Sequence, residues 1–213
     1  MTLPEPLYVV AWSQETDATP SVTVRVTPDG SLRLAFRGEL PHDRDHHGIL
    51  WRRQTISAGR GHPLKDRVHS YRQRTAMAYL LCHADASSTL GGHALHDDPP
   101  HPEQPLFLLD TAEVHEGYVT ATPPVCHQCA PHVARTRSGR KRSYTAVVVD
   151  EVRPWGVAGA LYDPTTLRLH LAANRLTAVR YRSPRAPWVV AHQALISLHG
   201  ITPVRLKLRN GAT

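Results

Sequence analysis

The chain has 213 residues, 41% of them hydrophobic and 20% charged. That length can bury a sizeable core without disulfide support, and the composition excludes a collagen, a coiled coil and a fully disordered chain. Lys and Arg total 25 against 18 Asp and Glu, a formal net charge of +7, and such an excess favours polyanions such as DNA or RNA. The only lysines are Lys65, Lys141 and Lys207. A GC-rich genome accounts for that Arg-for-Lys bias but not for the positive excess. No apolar run approaches the roughly 20 residues needed to cross a bilayer. The opening MTLPEPLYVVAW lacks the basic and apolar regions of a secretion signal. The expectation is a cytoplasmic protein without a membrane partner.

The first third reads as strands. Residues 7–12 form a short apolar run. Residues 22–27 (VTVRVT) and 31–37 (SLRLAFR) alternate apolar and polar around Pro28-Asp29-Gly30, which predicts a β-hairpin. Residues 48–53 add a further short strand. Residues 41–47 and 57–63 carry loop chemistry. DRVHSYRQRTAMAYLL, residues 66–81, has no Gly or Pro and spaces its apolar positions at helical intervals, which predicts a helix delivering Cys82 at its end. Residues 84–105 form a Gly- and Pro-rich excursion, and LFLLD (106–110) reads as a strand. In the last third, 144–152, 156–163, 167–172 and 176–181 read as four strands. Residues 186–200 read as an amphipathic helix with Pro187 near its start and Gly200 at its stop. VRLKL (204–208) reads as a closing strand.

These elements define an α+β protein, mainly antiparallel, with two principal helices. Residues 1–65 form an N-terminal β-hairpin region. Residues 66–143 hold a helix, a zinc-ribbon-like module and a basic run. Residues 144–213 form a C-terminal β-rich region with one helix.

Three cysteines leave one over from any disulfide pairing. Cys126 and Cys129 form C-x-x-C behind Pro123-Pro124, with a helix expected to begin at Ala130. That spacing lets two thiolates on one turn reach a single ion at about 2.3 Å. Cys82 opens a C-x-x-D ending at Asp85, and His83 adjoins it directly.

The segments GILWRR, SYRQRTAMAYLLCHAD, TPPVCHQCA and GVAGALYD, spanning residues 48–163, resemble a group of uncharacterised actinobacterial proteins. That group carries an Arg-rich helix leading into C-x-x-C, then a second P-P-V-C-x-x-C. The resemblance implies that Asp85 stands where the group has the second cysteine of its first pair. It implies a structural zinc held by Cys82, Cys126 and Cys129, with Asp85 or His83 as the fourth ligand; His127 and His132 are spare candidates. Carboxylate is an acceptable zinc ligand.

Two further clusters combine imidazoles and carboxylates: His42, Asp43, Asp45, His46 and His47, and His93, His96, Asp97, Asp98 and His101. Placed between Cys82 and Cys126, His96 and Asp97 resemble the catalytic pair of ββα-metal nucleases. The order is reversed here, however, and Ala130 stands where that family has Asn. The run Arg135, Arg137, Arg140, Lys141 and Arg142 follows the C-x-x-C directly and can neutralise phosphates. Arg67, Arg72 and Arg74, beside Tyr71 and Tyr79, offer a second basic element. The leading expectation is a zinc-stabilised nucleic-acid-binding or regulatory adaptor. A metal-dependent nuclease and a protein-interaction module without nucleic-acid contact are the alternatives.

Overall fold

The computed structural model describes residues 7–90, 104–138, 144–170 and 175–206. In chain order the elements are β1 (Val10–Trp12), β2 (Val22–Val26), β3 (Leu32–Phe36), β4 (Leu50–Trp51), β5 (Pro63–Val68) and α1 (Ser70–Ala78). There follow β6 (Leu106–Leu109), β7 (Tyr118–Thr120), α2 (Ala130–Ser138), β8 (Thr145–Leu161), β9 (Thr177–Arg180) and β10 (Val189–Pro203). The protein is α+β and mainly antiparallel.

Two long strands organise the core. β8 and β10 pair antiparallel from Val189↔Leu161 to Pro203↔Val147. Their outer edges are each covered by two short strands. β4 (parallel) and β7 lie along β10; β6 and β9 lie along β8. The 144–152 and 156–163 segments are therefore one 17-residue strand running through Pro154. Proline has no N–H for the ladder, and Pro154 sits at a register shift: between Leu195↔Gly156 and Ile196↔Pro154 the extra residue, Trp155, is on β8. Gly156 matters for a related reason. A Cβ there would sit 2.8 Å from Arg180 Cα and against the Val179 carbonyl, so only glycine lets β9 close on β8.

The helix expected over 186–200 is absent; only a single 3-10 turn, Ala186–Trp188, precedes β10. Ala194 to Leu198 are buried without alternation, because β10 is a central strand covered on both faces. An unbroken apolar run has no diagnostic period, and its helical spacing was coincidental. The two helices are instead α1 and α2. Of the other expectations, the β2–β3 hairpin forms with Val22↔Phe36 and Val26↔Leu32 as its ends. Of the strand expected over 167–172, the described residues show an isolated bridge from Leu169 to Tyr162, and residues 171 and 172 lie outside the described residues. β10 ends at Pro203, before the expected closing strand.

Helix α1 is shorter than residues 66–81. Pro63–Val68 pairs with β1 instead, Val10 opposite Val68. His69 caps the helix, its Nδ1 accepting from the Arg72 amide at 3.4 Å. Two buried side chains then dock it. Arg72 donates to Glu15 at 2.6 and 2.7 Å and to the Val10 carbonyl at 2.7 Å. Gln73 accepts from the Ala194 amide at 2.9 Å and donates to the Ala194 and Ala121 carbonyls at 3.0 and 2.8 Å. The helix stops at Leu80, whose φ is +48°, and the chain turns directly into Cys82.

Candidate metal centre

Two turns meet beneath β6. The first runs from Cys82 to Ser87: the Cys82 amide donates to the Ser87 carbonyl at 2.7 Å, and the Ala86 amide to the Cys82 carbonyl at 2.9 Å. Ala86 takes φ +63° to close it. The second runs from Cys126 into α2. The Ala130 amide donates to the Cys126 carbonyl at 3.0 Å, and the Val133 amide to the Cys129 carbonyl at 3.0 Å. The helix thus starts at the second cysteine, as expected for Ala130. The turns are joined through Pro124, whose carbonyl accepts from the His83 amide at 2.9 Å, and through Val125, whose amide donates to Leu106 of β6 at 2.8 Å. Leu106, Leu108, Val125, Ala130, Val133, Ala146 and Val148 pack around the thiols of Cys82 and Cys129.

This brings one ligand atom each from Cys82, Asp85, Cys126 and Cys129 within 4.8 Å of one another. Asp85 Oδ2 lies 3.2 Å from Cys129 Sγ and 3.9 Å from Cys126 Sγ. In a tetrahedral zinc shell, sulfur and oxygen ligands stand about 3.5 Å apart, given bond lengths of about 2.3 and 2.0 Å. The two measured separations bracket that value. Backbone amides already point at the sulfurs: Ala84 donates to Cys82 Sγ at 3.4 Å and Cys129 to Cys126 Sγ at 3.3 Å. Cys82 and Cys129 are fully buried, whereas Asp85 and Cys126 are half-buried. The donor set therefore fits a metal ion, and among the described residues it is the one group of this kind.

The charges at the centre are shared. Burial favours protonated Asp85, but hydrogen bonds from the Ser87 amide and hydroxyl, at 2.9 and 2.7 Å, outweigh it and hold the carboxyl below its ordinary range. Cys126 is held low, first by its hydrogen bond with Cys82. Cys82 is pushed up by that same bond and by burial, and Cys129 chiefly by burial.

His83 is not in the group. Its Nδ1 faces the carbonyls of Pro123 and Pro124 at 3.0 and 3.1 Å. Carbonyls only accept, so Nδ1 carries the proton, and the ring braces one turn against the other. His127 is exposed and His132 lies in α2, both outside the four-residue cluster.

The other candidates resolve differently. In the 42–47 cluster, Asp43 is buried and chelates Arg53 at 2.7 and 2.6 Å. Asp45 accepts from Trp51 Nε1 and from the His47 and Ile49 amides, each at 2.9 Å. Both carboxylates serve the fold. Of the second basic element, Arg67 is exposed on β5, Arg72 is ion-paired with Glu15, and Arg74 stacks over Trp51 at 4.6 Å. Tyr71 and Tyr79 are exposed. His93, His96, Asp97, Asp98 and His101 lie outside the described residues, as do Arg140, Lys141 and Arg142. Arg135 is exposed on α2, and Arg137 lies on the same helix. Among the described residues of the 1–65 segment, Leu7 packs against the core around the centre. Among the described residues no helix is long and apolar enough to cross a membrane. No family model, curated protein or solved structure matches the chain.

Proposed function

We propose that the protein is a zinc-stabilised nucleic-acid-binding adaptor with a structural metal. The observation that carries this is the convergence of three sulfurs and one carboxylate from two separated turns within 4.8 Å. Three thiolates and one carboxylate complete a four-coordinate shell and leave no position for a reacting water, which is the mark of a structural zinc site. The amide bonds to sulfur and the start of α2 at Cys129 offset the negative charge of such a shell. Asp85 takes the place of the second cysteine of the first pair, as in a divergent member of the actinobacterial group it resembles. Cysteine ligands without disulfides suit a reducing cytoplasm.

The nucleic-acid part rests on charge. The metal would fix the first turn of α2, which carries Arg135 and Arg137, and Arg140, Lys141 and Arg142 follow it in sequence. Fluorescence anisotropy with labelled 20-nucleotide DNA and RNA, over a salt series, tests it. Binding should weaken with salt at nearly one logarithmic unit per phosphate neutralised. Reversing Arg135, Arg137 and Arg140 to Glu should abolish it while the metal is retained. Salt-independent binding, or none, refutes the nucleic-acid reading.

A further inference from the structure

A groove of about 690 Å³ opens far along the chain from the metal centre, between the β2–β3 turn, the loop around His47 and the 181–187 segment. Its size suits a small organic ligand and exceeds what a bare inorganic ion needs. Part of its lining is apolar and ring-bearing. Leu32, Pro28, Pro184 and Pro187 line it, and Tyr181 stacks on His47 with ring centres 3.8 Å apart.

The groove also carries positive charge on Arg33. Arg33 sits directly across the hairpin from Arg25, and like charges in that position repel. Arg44 is also close enough to disfavour the Arg33 charge. Of the two carboxylates that act on Arg33, Glu39 is bound by Arg44 at 2.9 Å and reached by Arg25 at 3.5 Å. Arg33 forms no ion pair among the described residues, and its buried Nε has no hydrogen-bond partner. A buried guanidinium nitrogen without an acceptor is costly; the Arg33 terminal nitrogen lies by Gly48 of the groove lining, and an anion bound there would relieve the repulsion. Arg182 lines the same groove and is exposed. Asp29 is the acidic group of the lining, but its carboxylate is held by Thr27 and by the Ser31 amide and hydroxyl.

We propose that this groove binds a phosphomonoester carrying a ring-sized organic body, with Arg33 and Arg182 on the phosphate and the Tyr181 side on the body. Guanidinium groups suit phosphate because their N–H forks match its oxygens. The inference is independent of the metal centre and of the basic run.

The test is calorimetric titration of the full chain at low ionic strength with adenosine monophosphate, adenosine and inorganic phosphate. Adenosine monophosphate should saturate one site and bind at least about tenfold tighter than either fragment. Arg33→Gln and Arg182→Gln should each weaken it by about tenfold or more. Arg153→Gln, which removes a cation paired with Glu151 on β8, should leave it unchanged. Arg182 lies on an exposed loop, so its variant remains informative if Arg33→Gln unfolds. No saturable binding, equal binding of adenosine or of phosphate alone, or indifference to Arg182→Gln would overturn the proposal.

Discussion

Replacing Glu15 by Gln should destabilise the protein by about 3 kcal/mol at pH 7, and less as the pH falls. Glu15 is fully buried at its side chain and accepts from both terminal nitrogens of Arg72, from the Trp12 amide at 2.8 Å and from the Ser57 amide at 3.2 Å. Burial alone would raise its pKa, but the Arg72 guanidinium and the two amides outweigh that and pull it from 4.5 to about 2. Each tenfold change in proton affinity is worth about 1.4 kcal/mol, so the charged form contributes about 3 kcal/mol. Because the folded pKa lies below the unfolded one, this stability is present above pH 4.5 and is lost as pH falls toward 2. At pH 3 about 1.4 kcal/mol of it should remain. Gln keeps the shape but leaves Arg72 as a buried cation without a counter-charge, a defect of about 3–5 kcal/mol in comparable sites. Urea unfolding of both proteins, followed by tryptophan fluorescence at pH 7, 5 and 3, measures the gap. A gap under about 1 kcal/mol at pH 7, or one that does not narrow toward pH 3, would refute the claim that this ion pair anchors α1.

Gln73→Leu should cost about 2–4 kcal/mol, since it strands the buried Ala194 amide and two carbonyls; faster hydrogen exchange at Ala194 is the matching signature. Gly156→Ala should lower the melting temperature through a clash costing about 1–3 kcal/mol, with chemical-shift changes centred on Val179 and Arg180. His83→Gln should lower stability yet keep the full metal content, because His83 braces the two turns and holds no ion. Loss of metal in that variant would make the imidazole a ligand.

The fold class and the cysteine turns were legible in the sequence; much of the strand arrangement was not. C-x-x-C and C-x-x-D are local patterns, and their turns are closed by bonds within five residues, so the spacing alone announces them. What it could not decide was the fourth ligand. Asp85 and His83 are two residues apart, and only the Pro123 and Pro124 carbonyls, about forty residues on, assign the His83 ring elsewhere. The β2–β3 hairpin was equally legible, since its alternation and its Pro-Asp-Gly turn are contiguous. β10 was not. Its period vanishes where residues on both of its faces are buried, and Gln73, which binds its backbone at Ala194, is 121 residues away. Likewise, nothing near Arg72 in sequence reveals that Glu15 consumes its charge.

The central claim is that one ion joins the Cys82 turn to the Cys126 turn. Metal analysis of the purified chain by mass spectrometry, beside Cys126→Ser and Asp85→Ala, tests it most directly. The account predicts one zinc per wild-type chain, almost none in Cys126→Ser and weakened retention in Asp85→Ala. A wild-type chain that is metal-free, folded and indifferent to chelator in thermal unfolding would contradict it.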